Sequence, residues 1–252
     1  MRKVISTILF FIFLGIFLYS GYRLYLIYSE YHKGSQTYKE TASQYVTPAD
    51  PEQKPSSDPV TLSDACPVKV DFEALQAENP DIVGWLYMAD SVVNYPVLRG
   101  ETNDTYLRHL PNGEYNMAGS LFVDYRCQGD AHDPTTVIYG HNMHDGSMFA
   151  VLESYKEQKF YDSHPLMWYL TPEAAYRLNI LSGYIEDAYH PVYDLYQDPE
   201  EIQAFVDYAV ARSDFVPRFS SDHTEQIFLL STCDYAYENA RYILIAQPVP
   251  EE

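Results

Sequence analysis

The chain has 252 residues, with 36 acidic against 16 basic side chains, a formal charge of −20 and a pI near 4.6. That balance excludes a nucleic-acid-binding protein, which needs clustered Lys and Arg to meet phosphates. A hydrophobic content of 46% with 15% aromatics excludes a wholly disordered acidic chain, and three cysteines are too few and too odd in number for a disulfide-stapled scaffold.

Arg2 and Lys3 precede 19 uncharged residues, Val4 to Tyr22. A bilayer core takes roughly 20 apolar residues as helix, and no small-residue cleavage site follows, so the segment reads as one uncleaved membrane span. Residues 1–31 are thus expected to form a cytoplasmic stub, signal-anchor and juxtamembrane helix. The basic pair stays in the cytoplasm and the rest of a single-pass chain lies outside the cell membrane. Residues 32–64 are rich in Pro, Ser, Thr, Gln and charge and show no sustained apolar period, which predicts a flexible extracellular stalk. Residues 65–252 suffice for a single core and form the exported body. The acidity belongs to the exported side, since Glu30 is the one acid among the first 31 residues.

Along the body, Val68 to Ala77 predicts a short helix ending near Asn79-Pro80. Apolar, β-branched stretches follow. Strands are expected at Val92–Leu98, Ser120–Tyr125, Thr135–Tyr139, Ala175–Tyr184, Gln226–Leu230 and Arg241–Gln247, with Asn112-Gly113 and Gln128-Gly129 as turns. Ser147 to Glu157 carries Met148, Val151, Leu152 and Tyr155 at helical spacing. A second helix starts at Asp198, a good N-cap, followed by Pro199, then Glu200 and Glu201, then an amphipathic stripe of Ile202, Phe205, Val206, Ala209 and Val210. Many strands with few helices suggest a barrel or sandwich with appended helices.

Three residues stand out chemically. Cys233 closes the apolar run Gln226–Thr232, so a strand delivers a thiol to its end; a small buried hydrophobe is the plainer use. His141 ends the run Thr135–Gly140, where Gly140 would leave space beside the ring, and a Cys–His pair suffices for nucleophilic acyl transfer. Arg241 opens the strand eight residues after Cys233, where a hairpin would return its guanidinium to the sulfur to stabilise an oxyanion; its plainer use is an edge-strand arginine paired with Asp234 or Glu238. His141, His144 and Cys233 also admit a metal reading, disfavoured by the lack of C-x-x-C or H-E-x-x-H. Cys66 and Cys127 either pair or stay as two unrelated thiols, and the second is preferred.

The N-terminal anchor, Tyr139-Gly140-His141-Asn142-Met143-His144-Asp145-Gly146, Leu230-Ser231-Thr232-Cys233 and Arg241 together resemble the sortases, and within them class B. Asn79–Trp85, Tyr95–Leu98, Thr102–Leu107 and Gly119–Arg126 match as well, so the resemblance spans roughly residues 68–248. It implies a mainly β fold: a closed eight-stranded barrel with N-terminal helices and a helix inserted between strands six and seven. It implies a membrane-anchored cysteine transpeptidase, with Cys233 as nucleophile, His141 as acid and base, and Arg241 as oxyanion or substrate-carbonyl partner. The partners would be the sorting-signal peptide of a secreted protein and an amine of a cell-wall precursor or pilin, besides the membrane lipid. Asn103, Leu107, Ser231, Thr232 and Tyr193 would lie near the substrate groove. No cofactor and no metal are implied. Leu229 departs from the family pattern, which has threonine there; Asp234 follows the thiol where relatives vary, and residues 184–197 differ most. A non-catalytic binding module and a purely hydrolytic cysteine peptidase are the alternatives.

Overall fold

The opening apolar run is helical and continues well past its apolar part. In this computed structural model, which describes residues 2–49, 65–190 and 193–251, α1 covers Arg2–Tyr45, about 66 Å at 1.5 Å per residue. Val4 to Ser29 are exposed, and from Glu30 onward the helix packs on the body. This corrects the stalk expected from residue 32. Tyr31, Gly34, Tyr38, Ala42 and Tyr45 recur at three- and four-residue intervals, and all of them face the body. The stripe is built from tyrosine and small residues rather than aliphatics, so it carries little hydrophobic signal although its spacing is helical. Residues 50–64, the remainder of the expected stalk, lie outside the described residues.

After α1 come β1 (Val46–Pro48) and β2 (Val68–Val70), paired antiparallel. The helix expected over 68–77 therefore begins later. It is α2 (Phe72–Glu78), because Asp71 caps it by accepting from the Ala74 N–H at 3.0 Å. The barrel is formed by β3 (Ile82–Tyr87), β4 (Asn94–Leu98), β5 (Leu121–Val123), β6 (Thr135–Tyr139), β7 (Leu166–Leu170), β8 (Ala175–Asp187), β9 (Ile227–Cys233) and β10 (Ala240–Pro250). It closes in the order β10-β8-β7-β3-β4-β5-β6-β9. The pairs β4–β5 and β6–β9 are parallel and the others antiparallel. The expected mainly β, closed eight-stranded barrel is therefore present. The region expected as one helix over 147–157 is a 3-10 helix (Phe149–Lys156) followed by α3 (Gln158–Ser163).

α4 (Pro199–Val210) lies between β8 and β9, the sixth and seventh barrel strands, as the resemblance implied. Asp198 caps it through the Glu200 and Glu201 N–H groups, and Ile202, Phe205, Val206 and Ala209 are its buried face. That face explains the two-sided burial of the strands beneath. Successive side chains of a strand point to opposite faces. On β9, Phe228 and Leu230 point into the barrel while Ile227 and Leu229 point outward under α4; on β10, Tyr242 and Leu244 point inward while Ile243 and Ile245 point outward. Burial on both sides is why these strands read as unbroken apolar runs.

Candidate active site

Alternation also decides which side chains meet at the end of the barrel. Counting outward-facing positions along β9 gives Ile227, Leu229, Ser231 and Cys233. Arg241 is the direct Cα partner of Cys233 across the β9–β10 pair, so both side chains stand on the same outer face. On the other side of β9, Tyr139 of β6 is the partner of Ser231 in the parallel register. Two residues further along each chain set His141 beside Cys233. Hydrogen bonds hold that extension: the Gly140 N–H donates to the Ser231 carbonyl at 3.1 Å, and Asn142 Nδ2 donates to the Cys233 carbonyl at 2.9 Å and to Glu153 Oε1 at 2.7 Å. The fold thus brings Cys233, His141 and Arg241 to one rim from three strand ends.

The imidazole of His141 is oriented by Nε2, which donates to the Leu107 carbonyl at 2.7 Å. A carbonyl only accepts, so Nε2 carries the proton of the neutral ring and Nδ1 keeps the lone pair. Burial pushes the His141 pKa down and the Arg108 charge adds to this, while the bond to Leu107 opposes it. The space expected beside the ring at Gly140 has a different use. A Cβ there would come within 2.5 Å of Leu121 and 2.7 Å of Phe149, so the glycine admits core packing under the histidine.

Beside these residues stands a wall that carries two hydroxyls. Tyr193 and Ser231 share a hydrogen bond of 2.7 Å. Burial pushes the Tyr193 hydroxyl up to about 12, offset in part by the Ser231 bond and the Arg241 charge, which places it near the rim cation. Asn103 donates to Asp124 at 3.1 Å and accepts from the Tyr125 N–H at 3.0 Å, and Leu107 and Tyr139 pack against the same core cluster. Thr232 differs from expectation. It faces inward, opposite Tyr242, and its hydroxyl donates to the Gly140 carbonyl at 2.8 Å, so it braces β9 against the end of β6 rather than facing outward with Ser231.

Sequence reasoning missed the support behind this wall. Asp124 is fully buried; Arg126 meets it with two side-chain bonds, of 2.7 and 3.0 Å, and Tyr139 donates to it at 3.0 Å. Burial alone would raise the Asp124 pKa, but the bonds from Arg126 and Asn103 outweigh it and hold the carboxyl below its usual range. Arg126 also donates to the Tyr193 carbonyl at 3.1 Å, joining the ion pair to the segment that carries Tyr193. Both residues stand in the matched segment Gly119–Arg126, but their further partners Asn103, Tyr139 and Tyr193 are remote in sequence and no local pattern announces them.

The other candidates separate cleanly. Asp234 is buried and paired with Lys156 of the 3-10 helix, not with Arg241. His144 is exposed and stacks on Tyr235 with ring centroids 5.9 Å apart. Among the described residues no group of three His, Cys, Asp or Glu gathers around a metal-sized space. Cys66 and Cys127 are separate buried thiols, in different core clusters. Leu229, the departure from the family pattern, lies under α4.

A closed eight-stranded barrel with a helix inserted between its sixth and seventh strands, and a thiol ending the seventh, is the architecture of the sortases. No family model matches the chain. The sortase B of Listeria monocytogenes is 32% identical over 235 residues, covering 92% of this chain and 91% of that protein. The crystal structure of sortase B from Bacillus anthracis in complex with AAEK1 superposes with a TM-score of 0.72 at 30% identity, covering 89% of this chain and 100% of that one. The Staphylococcus aureus sortase B–substrate complex gives a TM-score of 0.67 at 31% identity, covering 72% and 85%. A sortase B complexed with triglycine also gives 0.67, at 30% identity, covering 72% and 86%. The chain belongs to the sortase B family and is a cysteine transpeptidase.

Proposed function

We propose that Cys233 is the nucleophile of this transpeptidase, His141 its acid and base, and Arg241 its oxyanion partner, in an enzyme anchored to the cell membrane by α1 with its body outside. The register that sets Arg241 opposite Cys233 on the outer barrel face carries this reading. The Cys233 sulfur attacks the scissile carbonyl of a sorting-signal peptide, and its proton passes to His141 Nδ1. Arg241 meets the oxygen as it gains charge. The tetrahedral intermediate collapses to a thioester as the C–N bond breaks, and His141 returns the proton to the leaving amine. An incoming amine then attacks the thioester, giving its proton to His141, and expulsion of the sulfur restores the thiol.

Asn103, Leu107, Ser231 and Tyr193 line the peptide groove in this reading. The relatives solved with substrate and with triglycine support a peptide donor and an amine acceptor; a cell-wall precursor or a pilin lysine supplies that amine. The apolar, fully exposed first half of α1 supports the anchor, and Arg2 and Lys3 support a cytoplasmic N-terminus.

The test is cleavage of a peptide library of sorting-signal type, with and without added amines, followed by mass spectrometry. Ligated product is expected only when amine is present. Cys233→Ala and His141→Ala should abolish turnover with the fold intact, and Arg241→Ala should lower kcat by about 100- to 1,000-fold, the usual effect of losing one oxyanion donor. Undiminished cleavage by Cys233→Ala sinks the thiol mechanism. Equal hydrolysis with no ligated product would make this chain a peptidase.

A further inference from the structure

α1 lies along the barrel with a defined polarity. Its Tyr45 end reaches the end where β7 turns into β8. There the Ala49 N–H bonds the Pro67 carbonyl, the Cys66 N–H bonds Glu251 Oε1 at 2.9 Å, and Pro250 pairs with Tyr176 near the start of β8. Its Glu30 end reaches the opposite rim. Glu30 Oε1 accepts from the Met117 N–H and the Glu30 carbonyl accepts from Asn116 Nδ2, both at 2.9 Å; Lys33 pairs with Glu114 at 3.1 Å. Tyr31 lines one cavity with Met143, Asp145 and Gly146, in the segment that follows His141. Tyr235 is two residues past Cys233, and its hydroxyl donates to the Asn142 carbonyl at 3.4 Å. The helix therefore leaves the body at the rim that holds Cys233 and His141.

The distance from there to the lipid is short. Eight residues separate Tyr22, the end of the uncharged stretch, from Glu30, or about 12 Å of helix. A headgroup layer takes up roughly 5–8 Å of this on one side of the bilayer. The interval carries exposed Tyr25 and Tyr28, and two body loops place exposed tyrosines beside it: Tyr115 at 60%, next to the residues that hold Glu30, and Tyr235 at 66%. An apolar ring with a polar tip suits the headgroup level.

We propose that this rim, formed by Tyr115, Tyr235 and His144, rests on the lipid headgroups, so that the mouth of the Cys233 groove faces the membrane at a height fixed by the unbroken helix. The partner is the lipid surface itself, and the proposal rests on α1 being the membrane anchor. In this arrangement donor and acceptor reach the thiol along the membrane plane.

The experiment uses the full chain carrying Cys233→Ala, reconstituted in vesicles of phosphatidylcholine and phosphatidylglycerol. Cys66 and Cys127 are buried, so a fluorophore can be placed selectively through Tyr235→Cys or, at the far end of the barrel, Glu173→Cys. Quenching by a headgroup spin-labelled lipid should be at least threefold stronger at position 235 than at 173. Inserting six glycines after Ser29 should cut the quenching at 235 at least twofold. Protein that floats with the vesicles but is quenched equally at both positions overturns the orientation, and quenching at 235 unchanged by the insertion overturns the fixed height. Protein that fails to float overturns the anchor reading instead.

Discussion

At the scale of single residues the site depends on one hydrogen bond whose direction is set by chemistry. The Leu107 carbonyl holds His141 through Nε2, so the ring presents Nδ1 as its base in the neutral form. Burial and Arg108 lower the folded pKa below the ordinary value of about 6.5. An unfolded chain then binds this proton more readily than the folded one. The contribution of the neutral ring to stability is present above about pH 6.5 and lost as pH falls toward the folded value. In a proton NMR titration of the His141 ring the midpoint should lie below 6.5, and Arg108→Ala should move it upward, carrying the acid limb of turnover with it. A midpoint at or above 6.5 in the unsubstituted protein would contradict this account.

At the scale of elements, α4 ties the capping chemistry of one residue to the groove. Its apolar face covers Val137, Leu229, Ile243 and Ile245, and Tyr196, in the segment leading to it from Tyr193, stacks on Phe205 with centroids 5.1 Å apart. Asp198→Ala removes the cap bonds to Glu200 and Glu201 at a cost of about 1 kcal/mol, or about 2–4 °C in Tm for a body of this size. Because the cap adjoins the Tyr193 segment, KM should rise more than kcat falls, which steady-state kinetics with a cleaved peptide would read. An unchanged Tm would show that the cap adds nothing to α4. This helix was legible because cap, Pro199 and stripe are contiguous in sequence. The strands β6, β9 and β10 were legible because burial on both faces leaves continuous apolar runs, and with them came the rim positions of Cys233, His141 and Arg241. The strand β7 was not, since Leu166–Leu170 is a five-residue run with no flanking pattern to separate strand from helix. The bonds that tie the Asp124–Arg126 pair to Asn103, Tyr139 and Tyr193, and Thr232 to Gly140, join segments remote in sequence, which no local window contains.

At the scale of the whole molecule the second half of α1 is part of the body's packing rather than a leash. Tyr38 is buried against Tyr95, with ring centroids 5.1 Å apart, and its hydroxyl meets the Gly119 carbonyl and, at 3.1 Å, Ser120 Oγ. The receiving loop is shaped for this contact: Gly119 has φ of +55°, and a Cβ there would stand 2.3 Å from the Leu107 oxygen. That oxygen belongs to the carbonyl that orients His141. Helix α1, the 107–119 loop and the imidazole thus form one chain of contacts, and loosening the first should be felt at the last. Tyr38→Ala should cost roughly 3 kcal/mol, as for other large buried aromatics. At 2–4 °C per kcal/mol that lowers Tm by about 6–12 °C. Tyr38→Phe keeps the ring and gives up only the hydroxyl bonds, so it should lose about 1 kcal/mol, with a further penalty if the Gly119 carbonyl is left unpaired. Both are measured on the full chain by calorimetry, with peptide turnover recorded well below the lowered Tm. A helix that merely lies against the barrel would leave Tm within a degree in both variants. A helix that is part of the core but uncoupled from the site would lower Tm while sparing turnover, and the 107–119 loop argues for loss of both.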